Sequence, residues 1–188
     1  MNMPSASPVD ADRPSRRVID APTRALHWLL AFSFTGAYLS AESERWHLLH
    51  ITLGYTVLGL VLARLLLGLL GPRRNRLSAW GAKLRGLPQQ LRAWTQGGGN
   101  LLASYQGLNT LAVVAILGFA LLAALSGLSL EQAWWGEALE DAHELLGNAA
   151  LAVVLAHLGL IAGVSLLRRH NHAGPMISGR TPGAGPDL

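Results

Sequence analysis

Four of the seven histidines in this 188-residue chain lie within or beside long apolar segments. His27 is near the start of the first segment, His50 is at the start of the second, and His143 and His157 bracket the fourth. The third segment contains no histidine. Imidazole is a common metal ligand, and an ionisable side chain inside an apolar segment is a candidate functional group. The chemistry that these residues could perform is therefore ligation of a metal ion or a haem iron.

The spacing of the last two histidines is that of one helix face. His157 follows His143 by 14 residues. At a rise of about 1.5 Å and a rotation of about 100° per residue, this step covers about 21 Å and falls about 40° short of whole turns. Both rings therefore leave the same face of one helix at two depths. Arg64 follows His50 by the same 14 residues, so it faces the same way as His50.

The composition limits both the class of protein and the kind of site. Of the residues, 51% are hydrophobic and 14% are charged, which is typical of a chain that places its apolar surface in lipid. Cysteine is absent, which excludes disulfides, thiolate zinc sites, iron–sulfur clusters and covalent c-type haem attachment. A haem in this protein must therefore be b-type and held by histidine.

The hydropathy pattern predicts an all-α membrane protein, a four-transmembrane-helix bundle with a cytoplasmic interfacial amphipathic helix. That amphipathic helix is predicted over 76–96, because leucines and tryptophans recur there every three or four residues among basic residues, with an interruption near Pro88. Gly71-Pro72 is a helix terminator that closes the second span. The predicted spans are 23–41, 46–70, 108–130 and 144–167.

The chain is expected to fold as one domain with a tail at each end. Asp20 and Pro22 are typical of the start of the first helix. Arg24, the apolar run and the small residues near 39–41 also resemble a cleavable signal peptide, but a discarded peptide would not need His27. The predicted bounds are a flexible cytoplasmic tail over 1–19, a four-helix membrane domain over 20–172 and a second flexible cytoplasmic tail over 173–188.

The basic residues predict how the spans are oriented. Of the 15 Lys and Arg residues, all except Arg45 and Arg64 lie in the N-terminal stretch, the connection 71–107 or the C-terminal tail. Positively charged connections stay in the cytoplasm, so both termini are predicted to be cytoplasmic and the other two connections to face outwards. The basic residues lie between the spans and do not form one basic region, so the expected partner is the lipid bilayer and not a nucleic acid.

This orientation gives each candidate histidine a depth. His27 and His157 lie near the inner ends of their spans, whereas His50 and His143 lie near the outer ends. Two levels, each with two histidines from two helices, are what bis-histidine ligation of two stacked haems requires. The alternative for any one of them is an interfacial side chain that binds nothing. The remaining three histidines are expected to be solvated: His47, His170 and His172.

Arg64 and Gly54 are further candidates for contact with a haem. A buried arginine needs an anionic partner, which a haem propionate would supply. The alternative is that the long side chain of Arg64 reaches the inner lipid headgroups. Gly54 lies one turn after His50 and would let a porphyrin approach the helix backbone, although glycine is also common where membrane helices pack.

Three short motifs follow one another along the chain. They are R-A-L-H-W at 24–28, H-I-T-L-G at 50–54 followed by Arg64, and H-E-L-L-G-N at 143–148 followed by His157. Their order and spacing resemble the bacterial cytochrome b561 and Ni-Fe hydrogenase b-type cytochrome family of diheme membrane proteins.

This resemblance implies two haem b groups in a protein of the bacterial cytoplasmic (inner) membrane. It implies that His27 and His157 hold the inner haem and that His50 and His143 hold the outer one. The chain departs from the hydrogenase branch at 107–110, which is Gly-Leu-Asn-Thr where members of that branch often carry His-Asn-Pro. The expected function is transfer of electrons between a quinone, ubiquinone or menaquinone, and a periplasmic redox partner.

The charge of the outer connections favours one kind of partner. They contain seven acidic residues and one basic residue, Arg45. This negative charge suits a basic c-type cytochrome or another basic periplasmic redox protein. The alternative is a superoxide:ubiquinone oxidoreductase, but an enzyme for an anion should present a positive funnel. The sequence leaves open whether the chain is a quinone oxidoreductase itself or a carrier subunit. The acidic residues are Glu42, Glu44, Glu131, Glu137, Glu140, Asp141 and Glu144.

Two functions of other classes are weaker alternatives. A metal-ion transporter or sensor could use the histidines as zinc ligands, but transport sites usually cluster their polar groups near the membrane midplane. These histidines are instead predicted at two separate levels. A structural anchor for a peripheral complex would leave the buried histidines and Arg64 without a purpose.

Overall fold

A computed structural model of the protein describes residues 16–17, 19–71, 78–131 and 136–181. The described residues are helical apart from short connections and one pair of two-residue strands, so the all-α prediction is confirmed. The strands β1 (Arg16–Arg17) and β2 (Arg180–Thr181) pair antiparallel. The helices are α1 (Ala21–Ser40), α2 (His47–Leu70), α3 (Ser78–Arg85), α4 (Leu87–Thr95), α5 (Leu101–Glu131), α6 (Glu137–Leu167) and α7 (Gly174–Ser178).

Three of the helices are long and apolar enough to cross a membrane. They coincide with α2, α5 and α6, with apolar stretches over Glu44–Leu70, Leu101–Leu130 and Glu137–Leu167. Helix α1 has 20 residues but is not among them, because polar side chains such as Arg24 and His27 lower its hydropathy. The four-span bundle therefore stays a prediction, with α1 as its least apolar member.

The ends of the first two long helices follow from local sequence. Asp20 has the extended backbone of a helix cap, and Pro22 lies in the first turn of α1, where a missing N–H costs nothing. Helix α2 ends at Leu70, and the N–H of Gly71 closes its last turn by donating to the Leu67 carbonyl oxygen at 2.9 Å. Both boundaries match the prediction; Pro72 lies outside the described residues.

The core lies where α2 crosses α5. Helix α1 packs on α2, α2 on α5, and α5 on α6, while α1 and α6 make only marginal backbone contact in the described part of the chain. Val57 and Val61 of α2 are buried against Leu117 and Ala120 of α5. On the α1 side, Gly36 allows close packing, because a Cβ there would lie 2.7 Å from the Leu53 side chain. The weak α1–α6 contact leaves an interior face for long side chains.

Two short helices occupy the place of the predicted amphipathic helix 76–96. Helix α3 ends at Arg85 and α4 begins at Leu87, with Pro88 in its first turn, so the interruption falls where it was expected. Leu87 is buried, whereas Leu91 and Trp94 are 46% and 45% exposed. Both helices pack on α5. Their position at the cytoplasmic lipid surface stays a prediction.

The segment after α6 folds back on the start of α1. The Arg24 guanidinium donates to the Ser178 carbonyl oxygen and the Trp28 indole N–H to that of Met176, each at 3.1 Å. Gly179, with φ of 75°, makes the turn into β2. The start of α1 and the end of the described chain therefore lie at one end of the bundle, as four crossings would require. Residues 1–15 and 182–188 lie outside the described residues, and the predicted domain bounds and flexible tails stay predictions.

Candidate functional site

The two histidines predicted at the outer level lie together. His50 is in the first turn of α2 and His143 is in the second turn of α6, and these two helices do not pack closely on each other. The centres of the two imidazole rings are nevertheless 6.0 Å apart, with the ring planes at 89°. Both side chains therefore extend into the space between α2 and α6 and meet there.

The His50 ring has a fixed orientation. Its Nδ1 lies 2.8 Å from the carbonyl oxygen of Ala37 on α1. A carbonyl oxygen can only accept, so Nδ1 carries the proton and donates. The other ring nitrogen, Nε2, then has a free lone pair, which is the state that a metal ligand needs.

The His143 ring is held by α5, the long helix without a histidine. Its Nδ1 lies 2.9 Å from the carbonyl oxygen of Ala123 and 3.0 Å from the Ser126 hydroxyl oxygen. The backbone of α5 also lies under the ring, since a Cβ on Gly127 would lie 2.9 Å from Cε1 of His143. These contacts were missed from the sequence. A Ser-Gly pair in an apolar helix is the one signal that could have indicated them, because a backbone carbonyl leaves no trace in the sequence.

The two histidines predicted at the inner level come from two different helices. His27 on α1 and His157 on α6 are both half-buried, and they are close enough to interact electrostatically. Unlike the outer pair, their Nδ1 atoms are buried without a hydrogen-bond partner among the described residues. A buried polar atom without a partner is costly, and this difference in the surroundings of Nδ1 distinguishes the inner pair from the outer pair.

A comparison with protein families identifies the chain. The model of the family described as prokaryotic cytochrome b561 matches residues 18–179, nearly all of the described part. The protein belongs to the prokaryotic cytochrome b561 family. No curated protein and no solved structure matches the chain. Family membership makes it a b-type membrane cytochrome that transfers electrons by means of haem, as the sequence motifs had indicated.

The spacing of the outer pair agrees with a shared metal ion. Two imidazoles on opposite sides of one metal ion have their ring centres about 6 Å apart, and the ring centres of His50 and His143 are 6.0 Å apart. Within the described ranges, no group of three or more His, Cys, Asp or Glu side chains could hold a bare metal ion. Two histidines on each of two levels suit a haem iron, whose other four ligands come from the porphyrin.

Arg64 lies at the inner level and contacts an aromatic ring. Its guanidinium carbon is 5.1 Å from the centre of the Trp80 ring on α3, and it is also close enough to Asp20 to interact electrostatically. Its Nη1 is buried without a hydrogen-bond partner among the described residues. One donor of Arg64 is thus available to an anionic group such as a haem propionate. Contact with a propionate stays a prediction, and so does the alternative that Arg64 reaches the inner lipid headgroups.

The remaining predicted residues lie in different surroundings. A Cβ added to Gly54 would meet nothing within 4 Å among the described residues, and contact of Gly54 with a porphyrin stays a prediction. His47 and His170 are exposed, as expected for solvated side chains. The expectation is wrong for His172, which is half-buried with its ring centre 5.3 Å from that of Tyr105, because the chain folds back after α6.

Proposed function

We propose that this cytochrome b561 binds two haem b groups and transfers electrons across the bacterial inner membrane, between a quinone and a periplasmic redox protein. The observation that carries the proposal is the arrangement of four histidines as two pairs at opposite ends of the bundle. Each pair joins two different helices, and α6 contributes one member to each pair. A ubiquinone or a menaquinone would serve as the membrane-soluble partner.

The residues of each pair would act as axial ligands. His50 and His143 would hold the outer haem, and His27 and His157 the inner one. The bound haem supplies one-electron redox chemistry at its iron. Because two histidines would hold each iron, the protein would leave no coordination position for oxygen or substrate. The protein therefore supplies position, shielding from water and electrostatic tuning, and electrons enter and leave without a bond to iron.

The periplasmic partner proposed is a basic protein such as a c-type cytochrome. At the end of the bundle that carries His50 and His143, the acidic side chains whose exposure is described all face solvent; Arg45 is the one described Lys or Arg side chain there. Such a surface attracts a basic protein and repels superoxide, which is an anion. The acidic side chains are Glu42, Glu44, Glu137, Glu140, Asp141 and Glu144.

Haem stoichiometry tests the proposal directly. A pyridine haemochrome assay combined with amino-acid analysis of the purified protein should give two haem b per chain. The dithionite-reduced minus oxidised spectrum should show the bands of low-spin haem b. In a potential titration these bands should develop in two steps, one for each haem. A ratio of one haem per chain, or no haem after growth with ample haem supply, would contradict the pairing of the four histidines.

A further inference from the structure

The two histidine pairs differ in what their Nδ1 atoms contact. On the outer pair, each Nδ1 has an acceptor on a neighbouring helix, Ala37 for His50 and Ala123 for His143. On the inner pair, neither His27 nor His157 has a hydrogen-bond partner at Nδ1 within the described residues. Two sites that are each built from two histidines are therefore chemically unequal.

We propose that Ser126 and Gly127 of α5 are positioning residues for His143, and that the hydrogen-bonded outer pair gives its haem a lower reduction potential than the inner haem. This inference rests on the proposed diheme function and deepens it, because the order of the two potentials sets the direction of electron flow. The proposal rests on the hydrogen bonds at Nδ1, on the packing of the His143 ring against Gly127 and on the charged side chains near each pair.

The direction of each hydrogen bond around His143 is determined by its partners. The Ser126 hydroxyl donates its hydrogen to the Ala123 carbonyl oxygen at 2.9 Å. It has no second hydrogen, so the Ser126 oxygen can only accept from Nδ1 of His143, 3.0 Å away. The N–H of His143 is thus shared between a carbonyl and a hydroxyl oxygen, and Nε2 is the nitrogen left for iron.

Gly127 provides the space for this orientation. A Cβ at this position would lie 2.9 Å from Cε1 and 3.4 Å from Nδ1 of the His143 ring, distances at which the ring would have to move. By contrast, a Cβ on Gly118 of the same helix would meet nothing within 4 Å. The absence of a side chain matters at Gly127 because the imidazole lies directly on the α5 backbone.

Hydrogen bonds at Nδ1 change the ligand that the iron meets. An imidazole whose N–H is shared with acceptors becomes a more basic ligand, and a more basic ligand stabilises ferric iron over ferrous iron. Outer-shell hydrogen bonding is one of the means by which proteins set haem potentials. The outer pair, with three acceptor contacts, should therefore favour the oxidised state more than the inner pair, which has none among the described residues.

Nearby charges act in the same direction. Glu140 and Glu144 are exposed within one turn of His143, and negative charge favours the more positive ferric state. At the inner level, the half-buried Arg64 and Arg24 outnumber the half-buried Asp20 that interacts with Arg64, and net positive charge favours the ferrous state. Transfer of one electron, without a proton, is then downhill from the outer site to the inner site. Electrons would enter from the periplasmic partner and leave to the quinone.

An optical redox titration of the purified diheme protein tests this order. We expect two one-electron components in the wild type, and Ser126→Ala should move the lower-potential component upwards while the higher one stays. Ser129→Ala is the matched control, because Ser129 is one turn further along the same helix and its hydroxyl donates to the Leu125 carbonyl oxygen at 3.0 Å. A shift in the higher component, no shift in either, or an equal shift in the control would overturn the proposal.

Gly127→Ala tests the packing independently. Its low-spin ferric EPR spectrum should lose or displace the signal of one haem only, that of the lower-potential component, whereas Gly118→Ala should keep both signals. Native signals in Gly127→Ala would overturn the role of Gly127. These outcomes are separate from failure of the proposed function, which would appear in the wild type as fewer than two haems per chain.

Discussion

The Tyr38 hydroxyl on α1 donates a hydrogen bond of 2.7 Å to the side-chain oxygen of Asn148 on α6. It joins two helices that have only marginal backbone contact in the described part of the chain. Asn148 in turn lies 3.4 Å from a carboxylate oxygen of Glu144. This polar link spans the opening between α1 and α6 just where the outer histidine pair lies. It replaces the apolar packing that holds the other neighbouring helices together.

Tyr38→Phe should therefore destabilise the bundle without changing haem content. A hydrogen bond of this kind contributes about 0.5–1.5 kcal/mol, and Asn148→Ala should cost about the same. In the double variant the two losses should not add, because both remove one interaction. Thermal unfolding followed by the Soret band measures the effect, with Tyr55→Phe as control since Tyr55 is 46% exposed. Additive losses would show that the two side chains do not interact.

The proximity of His50 and His143 could be predicted because it depends on helical arithmetic, whereas the ligand pairing of the four histidines stays a prediction. Positions in an apolar span fix depth, and charged connections fix orientation; the structure then brings His50 to His143 and His27 towards His157. The starts of the long helices were less predictable. The predicted span begins at 144, but helix α6 already begins at Glu137. The acidic Glu137 and Glu140 in its first turn are too polar for a membrane span, but they stabilise a helix N-terminus.

The contacts made by backbone atoms could not be predicted. The acceptors of the outer pair are carbonyl oxygens of Ala37 and Ala123, and alanine carries no polar side chain to mark them. The Trp80 ring over Arg64 depends on how α3 packs against α5, which no periodicity encodes. The return of α7 to the start of α1 depends likewise on backbone oxygens as acceptors.

Removing one ligand should remove one haem. We expect His143→Ala to lose the outer haem preferentially and His157→Ala the inner haem, so that each variant keeps about one haem per chain. His47→Ala is the matched control for the outer level, because His47 is one turn from His50 but exposed. Haem content and low-temperature difference spectra measure the result. If either ligand variant keeps two haems with unaltered spectra, that ligand assignment is wrong.

The contact of Arg64 with Trp80 should contribute to stability through the cation–π interaction. Such a pair is worth about 0.5–2 kcal/mol, depending on how far it is removed from water, and Arg64 is half-buried. Trp80→Leu should therefore lower the free energy of unfolding more than Trp80→Phe, which keeps a ring. The difference between Leu and Phe should disappear in an Arg64→Met background. If it persists there, apolar packing of the Trp80 ring explains the loss.

The last prediction concerns the acidic surface at the outer end. Opposite charges speed encounter by a long-range attraction that salt screens, with a Debye length of about 10 Å at 0.1 M. Reduction of the protein by a basic c-type cytochrome should therefore slow as salt rises. Reversing the exposed Glu137, Glu140 and Asp141 to Lys should lower the rate at low salt, because rim charges mainly alter association. Haem content should stay unchanged.

Stopped-flow reduction across a salt series separates this partner from superoxide. The same charge reversal should raise the rate with superoxide, because the anion would then meet a positive surface. An uncharged reductant is the control, and its rate should not depend on salt in either the wild type or the variant, because it carries no charge for the surface to attract. Salt-independent reduction by cytochrome c, together with fast reaction of the wild type with superoxide, would replace the proposed partner by superoxide.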